Sequence, residues 1–113
     1  MEDEIPTIHC SYVTEDSLYM SYMPFITGGA LFVRTKQLYN LGDSVQLIVR
    51  LLDSQEECCT AGKVIWITPK GAQGNKPAGI GVQFLGENRR LLSNKIETYL
   101  AGMLKSSQMT DSI

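Results

Sequence analysis

Hydrophobic and polar positions alternate most cleanly from Ser44 to Leu52, where Val45, Leu47, Val49 and Leu51 face one way and Gln46 and Arg50 the other. Side chains on an extended chain point to opposite faces with a period of two, so this pattern predicts a half-buried strand. Cys58 to Thr68, rich in Val64, Ile65, Trp66 and Ile67, predicts a second. In "AGIGVQF", residues 78–84, Ile80, Val82 and Phe84 share a face opposite Gly79, Gly81 and Gln83. Those glycines strip one face of side chains, so another sheet or the helix is expected to approach closely there. Two shorter patterns are strand-like. One is Ile5 to Val13, with Ile8, Cys10 and Tyr12 opposite His9 and Ser11; the other is Ala30 to Thr35. Leu41 to Asp43 reads as a turn, Asp53 to Glu57 as a hairpin connection, and Pro69 to Pro77 as a longer loop.

The period changes after Asn88, a residue suited to a helix N-cap. Leu92, Ile96, Tyr99, Leu100 and Met103 recur at spacings of three and four, with Arg89, Lys95 and Glu97 outside the stripe. This is the signature of one amphipathic helix. Lys105 to Ile113 loses all periodicity and reads as a flexible tail. Strands joined by turns and followed by a terminal helix predict a mainly β fold, an antiparallel barrel or sandwich closed on one side by that helix.

The chain has 113 residues, enough for one core, which sets a single domain over residues 1–104 with the tail at 105–113. Ten basic residues are scattered among twelve acidic ones, for a net charge of −2. Nucleic acid is therefore not an expected partner, because phosphate binding needs a concentrated basic face. "MEDEIPTIHC" opens with three acids where a secretory leader carries positive charge, and no apolar run is long enough to cross a bilayer. A cytoplasmic protein without membrane insertion is expected. Three cysteines, Cys10 and the adjacent Cys58 and Cys59, have no disulfide-framework spacing and suit a reducing compartment.

Material for catalysis is thin. His9 is the only histidine, and no serine or cysteine sits in a nucleophile turn, so no catalytic residue and no enzymatic activity are expected. His9, Cys10, Cys58 and Cys59 are zinc-ligand types, but neighbours on a strand point to opposite faces, so each pair cannot converge on one ion without a bulge. No metal and no cofactor are assigned. "KGAQGNKPAGIG", residues 70–81, has no Gly-Lys-Ser/Thr ending, and a strand rather than a helix follows it.

"SYMPFITGGALFV", residues 21–33, is the segment that periodicity does not explain. Tyr19, Tyr22, Met23 and Phe25 fit neither a helical stripe nor a strand face, and Pro24 removes a backbone donor. A partly exposed patch follows. Tyr and Met are over-represented at partner interfaces, and Pro24 would present them rigidly. Together with Trp66, these residues form the expected protein-binding group: Tyr19, Tyr22, Met23, Pro24, Phe25 and Trp66.

"YMPFITGGALFV", "LGDSVQLIV", "AGKVIWITPKGAQGN" and "AGIGVQF" together resemble the type IV pilus assembly PilZ proteins over about Ser17 to Leu104. The resemblance implies a six-stranded antiparallel β-barrel with one C-terminal α-helix. Most PilZ domains hold cyclic di-GMP with an Arg-x-x-x-Arg motif ahead of the barrel and an Asp/Asn-x-Ser-x-x-Gly motif at a strand start. Aligning the glycine of the second motif with Gly29 puts Pro24 at the Asp/Asn position and Ile26 at the Ser position. The arginine motif is missing, since the first basic residue is Arg34. Hydrophobic side chains do not replace a guanidinium fork. The resemblance therefore implies a non-enzymatic adaptor in pilus biogenesis and twitching motility that does not bind cyclic di-GMP directly. Its implied partners are the PilB-type extension ATPase and a FimX-like protein with a degenerate EAL domain. The competing expectation is a cyclic di-GMP receptor using a non-standard site, such as the Lys70 to Lys76 loop.

Overall fold

The alternation from Ser44 onward is strand β3, Ser44–Leu51, in the computed structural model, which describes residues 5–52, 57–69 and 78–111 and, beyond Ala101, only helix backbone. All four predicted inward residues of β3 are buried. The other strands are β1 (Thr7–Tyr12), β2 (Ala30–Arg34), β4 (Glu57–Thr68) and β5 (Gly79–Leu85), with helix α1 (Glu15–Ser21) after β1 and α2 (Arg89–Asp111) at the end. They form one sheet in the order β1-β3-β4-β5-β2. Ile80, Val82 and Phe84 of β5 lie on the inner face, as their spacing requires. Leu92, Ile96 and Leu100 of α2 are buried with them in one core. The helix continues past Leu104, through most of the segment read as a tail. Residues 53–56 and 70–77, which hold most of the expected hairpin connection and long loop, lie outside the described residues.

Three expectations are corrected. The described residues contain five strands, not six, and the sheet is a curled half-barrel rather than a closed barrel. β1 and β2 end the sheet without pairing; the Tyr12 hydroxyl donates across the gap to the Phe32 carbonyl at 2.7 Å. Nor is the sheet wholly antiparallel. β1 runs parallel to β3, with Thr7 beside Gln46 and Tyr12 beside Leu51. Parallel neighbours need a long connection, and here it includes α1 and β2. The third correction concerns Gly79 and Gly81. What approaches them is neither another sheet nor the helix. A Cβ on Gly79 would lie 2.5 Å from both the Phe32 ring and the Val33 carbonyl, and one on Gly81 would lie 2.9 Å from Trp66 Cβ.

Helix α1 was not visible in the periodicity. Thr14 caps it, its side chain accepting from the Ser17 N–H at 3.0 Å, while Ser17 Oγ accepts from the Thr14 N–H at 3.4 Å. This reciprocal box satisfies donors that a helix start leaves open, and Glu15 and Asp16 suit the positive end of the dipole. Only Leu18 of its seven residues is fully buried. Seven residues are too few for an apolar stripe to repeat.

Candidate protein-binding site

Two consecutive turns build the segment after α1. The Ile26 N–H donates to the Met23 carbonyl at 3.3 Å, with Pro24 at the second position, where its fixed φ is already suitable. The Gly29 N–H then donates to the Ile26 carbonyl at 2.7 Å, with Gly28 at φ 81° in the third position. Only glycine adopts that angle without strain. Gly29, also left-handed, could not carry a larger side chain in any case, since its Cβ would meet the Phe84 and Tyr22 rings at 3.2 and 3.3 Å.

Outside contacts hold these turns against the sheet. The Met23 N–H donates to Ala30, the Phe84 N–H to Gly29, and the Gln83 side-chain amide to the Thr27 carbonyl at 2.8 Å. Phe25, in the middle of the first turn, is thereby held outward at 80% exposure.

A bulge delivers Trp66 to the same face. Val64 pairs with Val82 and Trp66 with Gly81, so the register between β4 and β5 shifts at Ile65. Unbroken alternation from buried Val64 would have turned Trp66 inward. The extra residue reverses the parity, and Trp66 emerges 56% exposed, its indole N–H donating to Thr68 Oγ1 at 2.9 Å. Gly81 then provides a floor for two side chains, because a Cβ there would meet Trp66 Cβ and, at 3.2 Å, the Met23 methyl.

The six expected residues therefore divide. Met23 and Trp66 share the floor at Gly81, while Phe25 projects from the adjoining turn. Tyr19, Tyr22 and Pro24 line a separate cleft of about 240 Å³ with Glu97, Leu100 and Ala101 of α2. Tyr19 is 49% exposed, but Tyr22 is only 8% exposed and belongs to the core cluster. Its hydroxyl donates to Glu97 Oε2 at 2.7 Å, tying the end of α1 to α2. Burial, and then the bond to the Glu97 carboxylate, pushes the Tyr22 phenol above its ordinary value. Sequence spacing could not supply this contact, because its partners stand 75 positions apart.

Among the described residues there is no group of three potential metal ligands. Cys58 is half-buried against the core and Cys59 exposed, as alternation along β4 demands. Burial pushes the Cys10 thiol up to about 11, so it carries its proton at neutral pH. The described residues contain no helix long and apolar enough to cross a membrane.

A half-barrel packed against a helix, with a turn pinned by backbone bonds that presents large apolar side chains, defines a small β-rich domain with an exposed apolar face. The chain belongs to the PilZ family, whose PilZ domain model matches residues 6–102. Domains of this family are in general non-enzymatic binding modules associated with cyclic di-GMP signalling. No curated protein matches the chain.

Proposed function

We propose that this PilZ domain is a cytoplasmic adaptor of type IV pilus biogenesis and twitching motility that works by protein docking and does not itself hold cyclic di-GMP. The observation that carries the reading is the pinned Met23–Gly29 double turn. It holds Phe25 in solvent two residues from Met23, which meets Trp66 over Gly81, where the family's dinucleotide motif would supply polar acceptors. Pro24 and Ile26 stand at the motif's Asp/Asn and Ser positions, and no arginine precedes Arg34. Large apolar side chains held rigidly lose little entropy on association, which favours a protein partner.

The PilB-type extension ATPase is the proposed occupant of this face, through Met23, Phe25 and Trp66, with Tyr19 of the separate cleft as a further contact. Tyr22 acts from below, by fixing the end of α1. A FimX-like protein with a degenerate EAL domain is the proposed second partner and would bring the cyclic di-GMP signal that this chain does not read.

Titration calorimetry of the ATPase with wild type and with a Phe25→Ala/Trp66→Ala variant tests the reading. The variant is expected to fold normally and lose more than about 2 kcal/mol of binding, the scale of aromatic hot spots. Capture equal to wild type would remove the proposal.

A further inference from the structure

Away from the aromatic face, the open seam of the half-barrel forms a cleft of about 710 Å³. Its walls include His9 and Ser11 of β1, Asp16 and Met20 of α1, and Phe32 and Arg34 of β2. The chain of pairings makes β1 and β2 antiparallel across this gap. Arg34 lines the same cleft as His9, Cys10 and Ser11.

The two edges facing the cleft are not equivalent. On β2, residues 29, 31, 33 and 35 turn their backbone groups toward β5, as the Phe84-to-Gly29 and Thr35-to-Ala78 bonds show. The opposite edge of β2 is partly covered, because the Ala30 carbonyl accepts from Met23 and the Phe32 carbonyl from the Tyr12 hydroxyl. On β1, the Pro6 and Tyr12 carbonyls accept from Gln46 and Leu52, so the even-numbered residues face β3. Thr7, His9 and Ser11 then direct their N–H and C=O groups away from β3, and no described residue bonds to them. Their side chains are exposed. Within these six residues there is no proline, lysine or bulge, the usual devices that keep an edge from pairing.

We propose that this seam accepts one extended segment of a partner polypeptide as a sixth strand on the open edge of β1, with a carboxylate of that segment meeting Arg34. Main-chain bonding to Thr7, His9 and Ser11 provides the affinity, and alternate side chains of the segment face the exposed thioether of Met20. A second copy of this chain fits less well. Its β1 remains joined to its own β3, whereas α1 and β2 wall this cleft on the far side. Arg34 is exposed and has no ion-pair partner among the described residues, so an acidic residue is the complementary choice. The site is separate from the aromatic face.

The test uses a random dodecapeptide library displayed on phage, selected against the full chain, with the recovered peptides synthesised and titrated. Peptides enriched in one acidic residue within an alternating apolar pattern are expected. Their binding should slow amide exchange at Thr7, His9 and Ser11. His9→Pro, which removes one outward N–H at an edge position that tolerates proline, should weaken binding by about tenfold, the effect of one lost main-chain bond. His9→Ala, which keeps that N–H, should not. Arg34→Glu should weaken binding to a similar degree, whereas Phe25→Ala/Trp66→Ala should leave it unchanged. If His9→Pro fails to fold, N-methylation along the peptide gives the same information, since alternate amides only should be sensitive. Recovery of no peptide, indifference to both His9→Pro and peptide methylation, or a dimer of this chain abolished by His9→Pro would each overturn the proposal.

Discussion

Phe84 and Phe25 are the same side chain in opposite circumstances. Phe84 sits on β5 in step with Ile80 and Val82 and is wholly buried, while Phe25 sits in a turn that β5 itself holds in place and is four-fifths exposed. What separates them is the backbone. A strand repeats its inward direction every second residue, so apolar residues at that period share one core. Pro24 and the two glycines instead fix a double turn that repeats nothing, and its side chains go where the turn points them. Exposure of Phe25 is thus a product of defined local structure rather than of loose packing, which supports the proposed docking role.

Substitutions at the two ends of this comparison should differ by an order of magnitude. Phe84→Ala is expected to cost about 3–5 kcal/mol in urea unfolding, since it leaves a cavity beneath Gly29. A loss below about 1 kcal/mol would mean that β5 does not organise the core. Tyr12→Phe comes next, at about 1–3 kcal/mol, because the Phe32 carbonyl loses its donor across the seam. Faster amide exchange in β1 should accompany it.

Tyr22→Phe should cost about 1 kcal/mol, the usual net value of one hydrogen bond, and its signature is the pH dependence. Burial and the Glu97 bond raise the phenol above its ordinary value of 10.0 in the folded chain. Below that value both folded and unfolded chains hold the proton, and the stabilisation is fully present. Above it the unfolded chain releases the proton first, so stability falls as pH rises. Cys10, raised by burial from 9.0 to about 11, acts in the same direction, and the decline should therefore begin near pH 9. Tyr22→Phe should make this alkaline limb shallower; an unchanged limb would place the titration elsewhere. The smallest effect belongs to Phe25→Ala, which should shift stability by less than about 0.5 kcal/mol despite removing a whole ring. A larger loss would show that the ring packs against the fold.

The parts of this architecture legible in the sequence are those where one residue's fate repeats in the next period. Val45 to Leu51 and Ile80 to Phe84 bury the side chains their spacing predicts, and on α2 Leu92, Ile96 and Leu100 do so while Tyr99 is half-buried against the same core. Helix α1 escaped because its seven residues offer no repeat, although Thr14 followed by two acids and Ser17 was a capping signal. The parallel pairing of β1 with β3, and with it the open seam, depends on contacts between distant segments that no local pattern encodes.

The candidate site shows the same division. A proline beside aromatics marked the turn, and Phe25 stands in solvent there, while Tyr19 is exposed on α1 instead. Tyr22 did not follow: its N–H closes the last turn of α1 on the Leu18 carbonyl, and its hydroxyl is held by Glu97 on the far helix. Trp66 reached the surface only through the register shift at Ile65, and a single inserted residue leaves no mark in composition.

In the proposed function, carbon at Pro24 and Ile26 stands in place of the acceptors of the family's dinucleotide site. Titrating cyclic di-GMP into the purified chain by calorimetry tests it most directly. No saturable heat at high micromolar ligand, and no change in Trp66 fluorescence, is the predicted result. A saturable, stoichiometric heat would contradict it.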